Sequence, residues 1–278
     1  MLQRSLTPAV LLALVVSFVA ASPRAQVAAE PQAVAAPAAV PVQAPAAVPA
    51  VASAPAPVAT PAVATPANLA RVKGAQGLSP KVLAMALDAV ACARARGISG
   101  RDDILTVIDY SLPSTQPRLW VLDLAKGEVL HHELVAHGQG TGENYATRFS
   151  NNMDSHQTSL GLFLTGGTYE GNNGYSLKLQ GLDKGLNDRA EERHIVIHGA
   201  WYVSAEHARR QGRLGRSHGC PALSEASARP VIDRIKGGSF VFSYSGSDSA
   251  FQKAASHTCG GGPADAVTAA ASAVAIAR

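Results

Sequence analysis

Cysteine, aromatic and charged residues are all scarce in this sequence. Its 278 residues include three cysteines, 5% aromatic residues and 16% charged residues, with a formal net charge of +4. Lysine and arginine form no runs, and basic residues do not alternate with aromatic ones as they do in proteins that bind nucleic acid. The composition therefore excludes a nucleic-acid partner.

Charge is nearly absent from residues 1–22, MLQRSLTPAVLLALVVSFVAAS, where Arg4 precedes an apolar stretch that ends in small residues. This stretch is shorter than the ~20 residues that a membrane-spanning helix needs. The pattern is typical of a cleaved secretory signal, with an uncleaved anchor as the alternative. We therefore expect export to a periplasmic or cell-wall-associated location, without stable membrane insertion after cleavage. No cysteine near the cleavage region offers a site for a lipid anchor.

Two different segments follow the predicted signal. Residues 23–77 are rich in Ala, Pro and Val. They predict a disordered linker, because irregularly spaced prolines interrupt helices and sheet ladders alike. Residues 78–97 predict a helix, with Ser79 as N-cap, Pro80 in the first turn and Gly97 as the stop.

The pattern then changes to short β-type runs, at residues 104–110, 118–124, 128–138, 160–166, 175–182, 193–199 and 239–246. A second helix is predicted over 224–237, capped by Ser224. The sequence therefore predicts one mainly β domain over 78–258 and a low-complexity tail over 259–278.

The cysteines are Cys92, Cys220 and Cys259. Outside the cytoplasm an odd count indicates one disulfide and one free thiol, and the sequence alone allows three pairings. We favour Cys92–Cys259, because these two residues flank the predicted β domain and a bond between them would join its first helix to its end.

Two motifs place chemically active side chains next to turns. In RHIVIHGAWYV (193–203), strand alternation puts His194 and His198 on one face, and Gly199 lets the chain turn so that His198 faces a cleft. In RLGRSHGCPAL (213–223), Gly219 allows a tight turn before Cys220, leaving N–H groups that can form an oxyanion hole. A nearby imidazole would take the thiol proton and give a thiolate–imidazolium pair.

Two further interpretations concern these motifs. Arg213 and Arg216 are candidates for holding a substrate carboxylate, since a guanidinium matches its two oxygens. His194, His198 and Cys220 form a competing zinc constellation. We do not favour it, because no second cysteine or carboxylate falls at a recognisable ligand spacing, and we predict no metal.

Together the two motifs resemble the active-site signature of the murein L,D-transpeptidases of the YkuD type. The similarity continues in order through DYSLPSTQPRLWVLDL, LVAHGQGTGENYATRFSN, SLGLFLTGGTYEG, GYSLKLQGLDKGLNDRA and DRIKGGSFVF, and covers roughly residues 105–245. The resemblance implies a YkuD-like β-sandwich domain with a few short helices, preceded by an N-terminal helix.

The resemblance also implies an activity, that of a cysteine L,D-transpeptidase acting on peptidoglycan. Cys220 would be the acylated nucleophile, His198 its general base, and the main-chain carbonyl of Gly199 would orient the imidazole. The thioester would form with release of D-alanine, and an amine of a neighbouring stem peptide would resolve it into a 3–3 cross-link. No cofactor is implied.

The loop before the cysteine would complete the site. Ser217, His218 and Gly219 would shape the oxyanion loop, with the N–H groups of Gly219 and Cys220 as donors, and Ser217 would also contact substrate. Many L,D-transpeptidases carry Arg or Asn where this sequence has Ala222. The acceptor is therefore open, and an L,D-carboxypeptidase using the same thioester and a non-catalytic wall-binding module remain alternatives.

Overall fold

The computed structural model describes residue 72 and residues 74–253. The predicted signal, nearly all of the predicted linker, the tail and Cys259 lie outside these residues. Within the described part of the chain, no helix is both long and apolar enough to cross a bilayer.

Eight strands make up the sheet: β1 Ile104–Asp109, β2 Leu119–Asp123, β3 Glu128–Glu133, β4 Gly161–Gly171, β5 Gly174–Gly181, β6 Val196–Gly199, β7 Ala222–Leu223 and β8 Phe240–Tyr244. They join in the order β3-β2-β1-β8-β4-β5-β6-β7. Neighbours are antiparallel except for two parallel pairs, β1 with β8 and β6 with β7. The predicted mainly β class is confirmed.

Four helices accompany the sheet in the described residues: α1 Pro80–Ala95, α2 Ala205–Gln211, α3 Glu225–Ile235 and α4 Ser249–Lys253. Pro80 begins α1, where its missing N–H costs nothing, but the Ser79 side chain makes no capping hydrogen bond. Ser224 does cap α3, since its side chain accepts a hydrogen bond from the Ser227 N–H at 3.1 Å.

The core lies between the sheet and the apolar faces of α1 and α3. Every residue of β1, β2 and β8 is buried. The largest buried side chains in this region include Trp120, Phe240 and Phe242. The packed region begins before the predicted start at Leu78, because Val72 contacts the core and Trp120 Nε1 donates a hydrogen bond to the Gln76 carbonyl.

Three elements, β7, α2 and α4, were not predicted, and one prediction about a strand was wrong. The α4 helix has only five residues, which is too few for a helical pattern. β7 has only two residues, too few for a periodic pattern, and α2 buries none of its residues, so it has no apolar stripe. The strand predicted over 193–199 begins only at Val196. His194 has a φ of 54° and lies in the turn before β6. It therefore does not share a strand face with His198.

The β6–β7 end of the sheet brings the two sequence motifs together. His198 lies opposite Ala222, and Gly199 lies opposite Leu223. A bridge between Ala136 and Ala222 holds β7 from its other side. The sheet thereby places the His198 side chain and the loop that carries Cys220 on adjacent strands.

A buried cation lies close to this edge. The Arg118 guanidinium is fully buried and donates hydrogen bonds to the carbonyls of Val135 and Leu112. It also lies 2.8 Å from His137 Nδ1, which accepts because a guanidinium can only donate. Burial, and then the charge of Arg118, lower the pKa of His137 to about 4. His137 is therefore neutral in the folded protein.

This arrangement predicts a loss of stability in acid. Histidine in the unfolded chain titrates near 6.5, so between about pH 6.5 and pH 4 the unfolded state binds more protons than the folded state. Lowering the pH through this window should cost roughly 3 kcal/mol of unfolding free energy. His137→Gln keeps an acceptor for Arg118 but cannot titrate, so it should lack this part of the pH dependence. Urea unfolding of both proteins at about pH 7.5 and about pH 4.5 measures the difference, and parallel pH profiles would contradict the assignment.

Candidate functional site

Cys220 lies on a tightly packed loop that leads into β7. The preceding residue, Gly219, has a φ of 124°, a conformation that favours glycine. A Cβ there would lie 2.8 Å from the Gln157 carbonyl oxygen and 3.1 Å from Ile195 Cδ1. The site thus requires glycine before the cysteine both for backbone conformation and for space.

Side-chain hydroxyls fix the backbone of this loop. Ser217 Oγ donates to the Cys220 carbonyl at 2.6 Å and accepts from the Gly219 N–H at 3.1 Å. Thr158 Oγ1 donates to the Gly219 carbonyl at 3.2 Å. The Gly219 N–H is therefore already engaged, whereas the Cys220 N–H has no such bond to another residue of the described chain. Of the two predicted oxyanion donors, only Cys220 is available without rearrangement.

His198 is buried and held in one tautomer. Its Nδ1 lies 2.9 Å from the Gly199 carbonyl oxygen. Because a carbonyl only accepts, Nδ1 carries the proton and Nε2 is left as an acceptor. Burial lowers the pKa of His198, although the bond to Gly199 opposes the shift. The structure thus brings together the predicted base and the predicted orienting carbonyl, with the imidazole neutral.

The Cys220 thiol is directed towards the backbone of the turn before β6. Its Sγ lies 3.5 Å from the Val196 nitrogen, which donates to it, and 3.7 Å from the His194 carbonyl oxygen, to which it donates. It makes no hydrogen bond to His198 in the described structure. Burial raises the pKa of the thiol and outweighs the opposing effects of the Val196 N–H and the Arg193 guanidinium.

The predicted thiolate–imidazolium pair is therefore not the arrangement of this structure. Burial disfavours the charged form of both groups, so the thiol and the imidazole are both neutral. Proton transfer from sulfur to Nε2 is left to the reaction itself.

Arg193 is a site residue that the sequence analysis missed. Its guanidinium donates to the Ser150 carbonyl at 2.7 Å and to the Gln157 carbonyl at 2.6 Å, and also to the hydroxyls of Ser155 and Ser159. None of these four partners carries a charge. The positive charge therefore remains effective at Cys220, where it favours the thiolate. A basic residue at the start of the histidine motif was the available signal.

Other predicted residues have different partners in the structure. Arg213 Nε lies 2.8 Å and Arg216 Nη1 2.6 Å from the carboxylate of Glu143, so both cations are already paired. Their role in holding a substrate carboxylate stays a prediction. His218 is exposed and stacks on His156, with ring centroids 4.3 Å apart.

The competing zinc constellation, which the sequence did not favour, is not assembled in the described residues. His194 contributes only its backbone carbonyl to Cys220. No group of three or more His, Cys, Asp or Glu side chains within residues 74–253 is arranged to hold a metal ion.

The structure also shows the surroundings of Ala222, two residues after the cysteine. Ala222 is fully buried in a small apolar cluster with Ala136, Ala200, Val203 and Leu214. A long polar side chain would not fit there without displacing these residues. No polar group therefore enters the cleft from this position.

Comparisons with known proteins identify a family. The model for the L,D-transpeptidase catalytic domain matches residues 74–244, which confirms the resemblance noted in the sequence. A comparison with curated proteins found no match.

Several solved structures are similar. An L,D-transpeptidase from Mycobacterium smegmatis is 16% identical, with a TM-score of 0.33, over 51% of this chain and 58% of that one. L,D-transpeptidase 1 from Mycobacterium tuberculosis is 14% identical, with a TM-score of 0.30, over 51% of this chain and 61% of that one. An L,D-transpeptidase from Stackebrandtia nassauensis is 14% identical, with a TM-score of 0.33, over 66% of this chain and 78% of that one. The chain spans about six tenths of the length of the mycobacterial proteins.

The neutral thiol predicts an unusual alkylation profile. The rate at which iodoacetamide modifies Cys220, followed by peptide mass spectrometry, should rise with pH to a midpoint above the ordinary cysteine value of about 8.5. Arg193→Met should move that midpoint higher, because it removes the cation that favours the thiolate. Arg189→Met is the matched control, since Arg189 pairs with Glu192 and should leave the midpoint unchanged. A midpoint below about pH 7 would instead indicate a preformed ion pair.

Proposed function

The chain belongs to the L,D-transpeptidase catalytic-domain family, and from that premise we propose that it is a cysteine L,D-transpeptidase that cross-links peptidoglycan stem peptides. The family match covers more than half of the 278 residues. It supports a transferase that acts on peptidoglycan. The thioester mechanism, the products and the roles of individual residues are our proposal.

One observation carries the proposal. The Nδ1–H of His198 is committed to the Gly199 carbonyl, which leaves Nε2 free to take a proton on the strand beside the Cys220 loop. A base needs this combination, because the same imidazole must be oriented, neutral and open on one nitrogen.

Acylation begins when the substrate carbonyl displaces the resting contacts of the thiol. The proton of Cys220 passes to His198 Nε2 as sulfur attacks the carbonyl carbon of the L-centre of the diamino acid. The Cys220 N–H donates to the oxyanion that forms. When the tetrahedral intermediate collapses, the peptide C–N bond breaks, and the imidazolium protonates the departing amine of D-alanine. The product is a thioester on Cys220.

The second half of the reaction runs in the opposite sense. An amine of a neighbouring stem peptide attacks the thioester carbon, and His198 takes a proton from that amine. The C–S bond breaks, the sulfur is reprotonated from the imidazolium, and a 3–3 cross-link is released. Water in place of the amine gives the carboxypeptidase alternative with the same intermediate.

Muropeptide analysis of the purified protein tests this proposal. Incubation with a disaccharide-tetrapeptide should give cross-linked dimers and free D-alanine, measured by liquid chromatography and mass spectrometry. Cys220→Ala should abolish both products, and His198→Ala should lower their rate by about 10²–10⁴-fold because it removes the base. His131→Ala, on β3 at the opposite edge of the sheet, is the imidazole control and should keep the wild-type rate.

Other outcomes discriminate between the alternatives. Tripeptide without dimers would indicate the L,D-carboxypeptidase. Binding without any product would indicate a wall-binding module. Unchanged turnover in Cys220→Ala would refute the thioester mechanism.

We also propose that the protein is exported and that Cys92 pairs with Cys259. Protein recovered from outside the cytoplasm should lack residues 1–22, and reduction should add two hydrogens to its mass. Closing so long a loop would stabilise the fold by about 4–5 kcal/mol in the chain-entropy model. Intact mass spectrometry before and after reduction measures both features. A mass unchanged by reduction, with all cysteines open to alkylation, would exclude the disulfide.

A further inference from the structure

A cavity opens directly beside the proposed general base. It measures about 560 Å³ and is lined by His198, Gly199 and groups from the β4–β5 hairpin, the turn after β6 and α3. This volume is within the ordinary range for ligand sites. His198 and Gly199 belong both to the candidate active site and to the lining of this cavity. A ligand in the cavity would therefore contact the proposed general base.

The most exposed large apolar side chain of the described structure stands at this cavity. Trp201 is 67% exposed and lines it. Its indole contacts the rings of Tyr202 and His207, with centroids 5.8 Å and 5.7 Å away. Exposing so large an apolar surface beside a concave site is characteristic of a binding surface.

The backbone that carries Trp201 is firmly held. The Ala200 N–H donates to the Leu223 carbonyl at 2.8 Å, and the Gly215 N–H donates to the Tyr202 carbonyl at 3.0 Å. Tyr202 also packs so closely on Gly215 that a Cβ there would lie 2.4 Å from Tyr202 Cβ. The indole is thus presented from a rigid turn, at a small entropic cost of binding.

The polar groups of the cavity divide into engaged and available ones. Arg229 is engaged, since it pairs with Glu170 at 3.0 Å and lies 4.0 Å from the centre of the Tyr175 ring. Glu225, Asn172 and Asn173 make no side-chain hydrogen bond or ion pair with other described residues. Two amides, one carboxylate and the Tyr202 hydroxyl are therefore available to a ligand, while the one guanidinium is not.

This inventory selects a class of ligand. An anionic group would meet a free carboxylate and an occupied arginine. A bulky aliphatic side chain would find only Ala200 and Ala228 as aliphatic partners. A sugar ring fits both features, because its apolar C–H face packs on the electron-rich indole face while its hydroxyl and amide groups bond to amides and a carboxylate.

We propose that this cavity binds a sugar ring of the peptidoglycan glycan strand, with Trp201 as the stacking platform. The inference rests on the proposed function, since it assigns the glycan end of the same substrate whose peptide end reacts at Cys220. Glu225, Asn172 and Asn173 hold the polar substituents of the ring. The site would thus distinguish a stem peptide on its glycan from the same peptide alone.

The test compares one stem peptide in two forms, the free tetrapeptide and the disaccharide-tetrapeptide. Wild-type protein should have the higher kcat/KM for the form that carries sugar. Trp201→Ala should lower that preference by about 3- to 10-fold, which is what one aromatic contact supplies, with the loss falling mainly on kcat/KM of the form that carries sugar. Trp201→Phe should keep most of the preference. Tyr145→Ala is the matched control, because Tyr145 is also exposed but does not line the cavity.

A binding measurement separates this inference from the proposed function. The protein has two tryptophans, and Trp120 is fully buried, so a fluorescence change on adding an N-acetylglucosamine oligomer reports on Trp201. Saturable quenching that Glu225→Gln weakens supports the sugar site even if neither substrate is turned over. Equal losses on both substrates in Trp201→Ala would assign the cavity to the peptide. An unchanged preference or no fluorescence response would overturn the sugar site.

Discussion

The parallel pairing of β6 with β7 is the constraint on which the candidate site depends. It sets His198 opposite Ala222, and thereby fixes how far the imidazole lies from the loop that carries the thiol. Because β7 has only two residues, it needs support from Ala136 on its other side. The complete burial of Ala222 follows from this position between two chain segments. A long polar side chain at this position is incompatible with this packing.

Electrostatics at the site favour a neutral resting state. Burial raises the pKa of Cys220 and lowers the pKa of His198, and each shift favours the uncharged form of its group. Arg193 provides the one opposing influence from a cation on the thiol, and it does so while its hydrogen bonds hold carbonyls and hydroxyls of the 150–159 segment. The same guanidinium therefore favours the thiolate form of Cys220 and also holds the segment that packs against the loop of Cys220. The guanidinium pairs with no carboxylate of residues 74–253, and its hydrogen bonds to two carbonyls and two hydroxyls satisfy its donors instead.

The sequence predicted the elements that have a periodic or continuous apolar pattern or a helix cap. It missed the elements that depend on contacts with distant parts of the chain. Strand and helix patterns identified β1, β8 and α3 closely, because their burial is periodic or continuous. The nucleophile and base candidates emerged from motif chemistry and family resemblance. Other features depend on segments that are distant in the sequence. These are the direction of the Cys220 thiol, the ion pairs of Glu143 with Arg213 and Arg216, and the hydrogen bonds of Arg193. No local pattern contains that information.

The order of the strands has a consequence for how the domain assembles. β8 comes last in the chain but lies between β1 and β4, near the middle of the sheet. In the order of the sheet, β8 is the strand that joins β1, β2 and β3 to β4, β5, β6 and β7. Until residues 240–244 have been synthesised, β1 and β4 lack the strand with which both of them pair. The sheet is therefore complete only after the chain has been made as far as residue 244, which follows both His198 and Cys220 in the sequence.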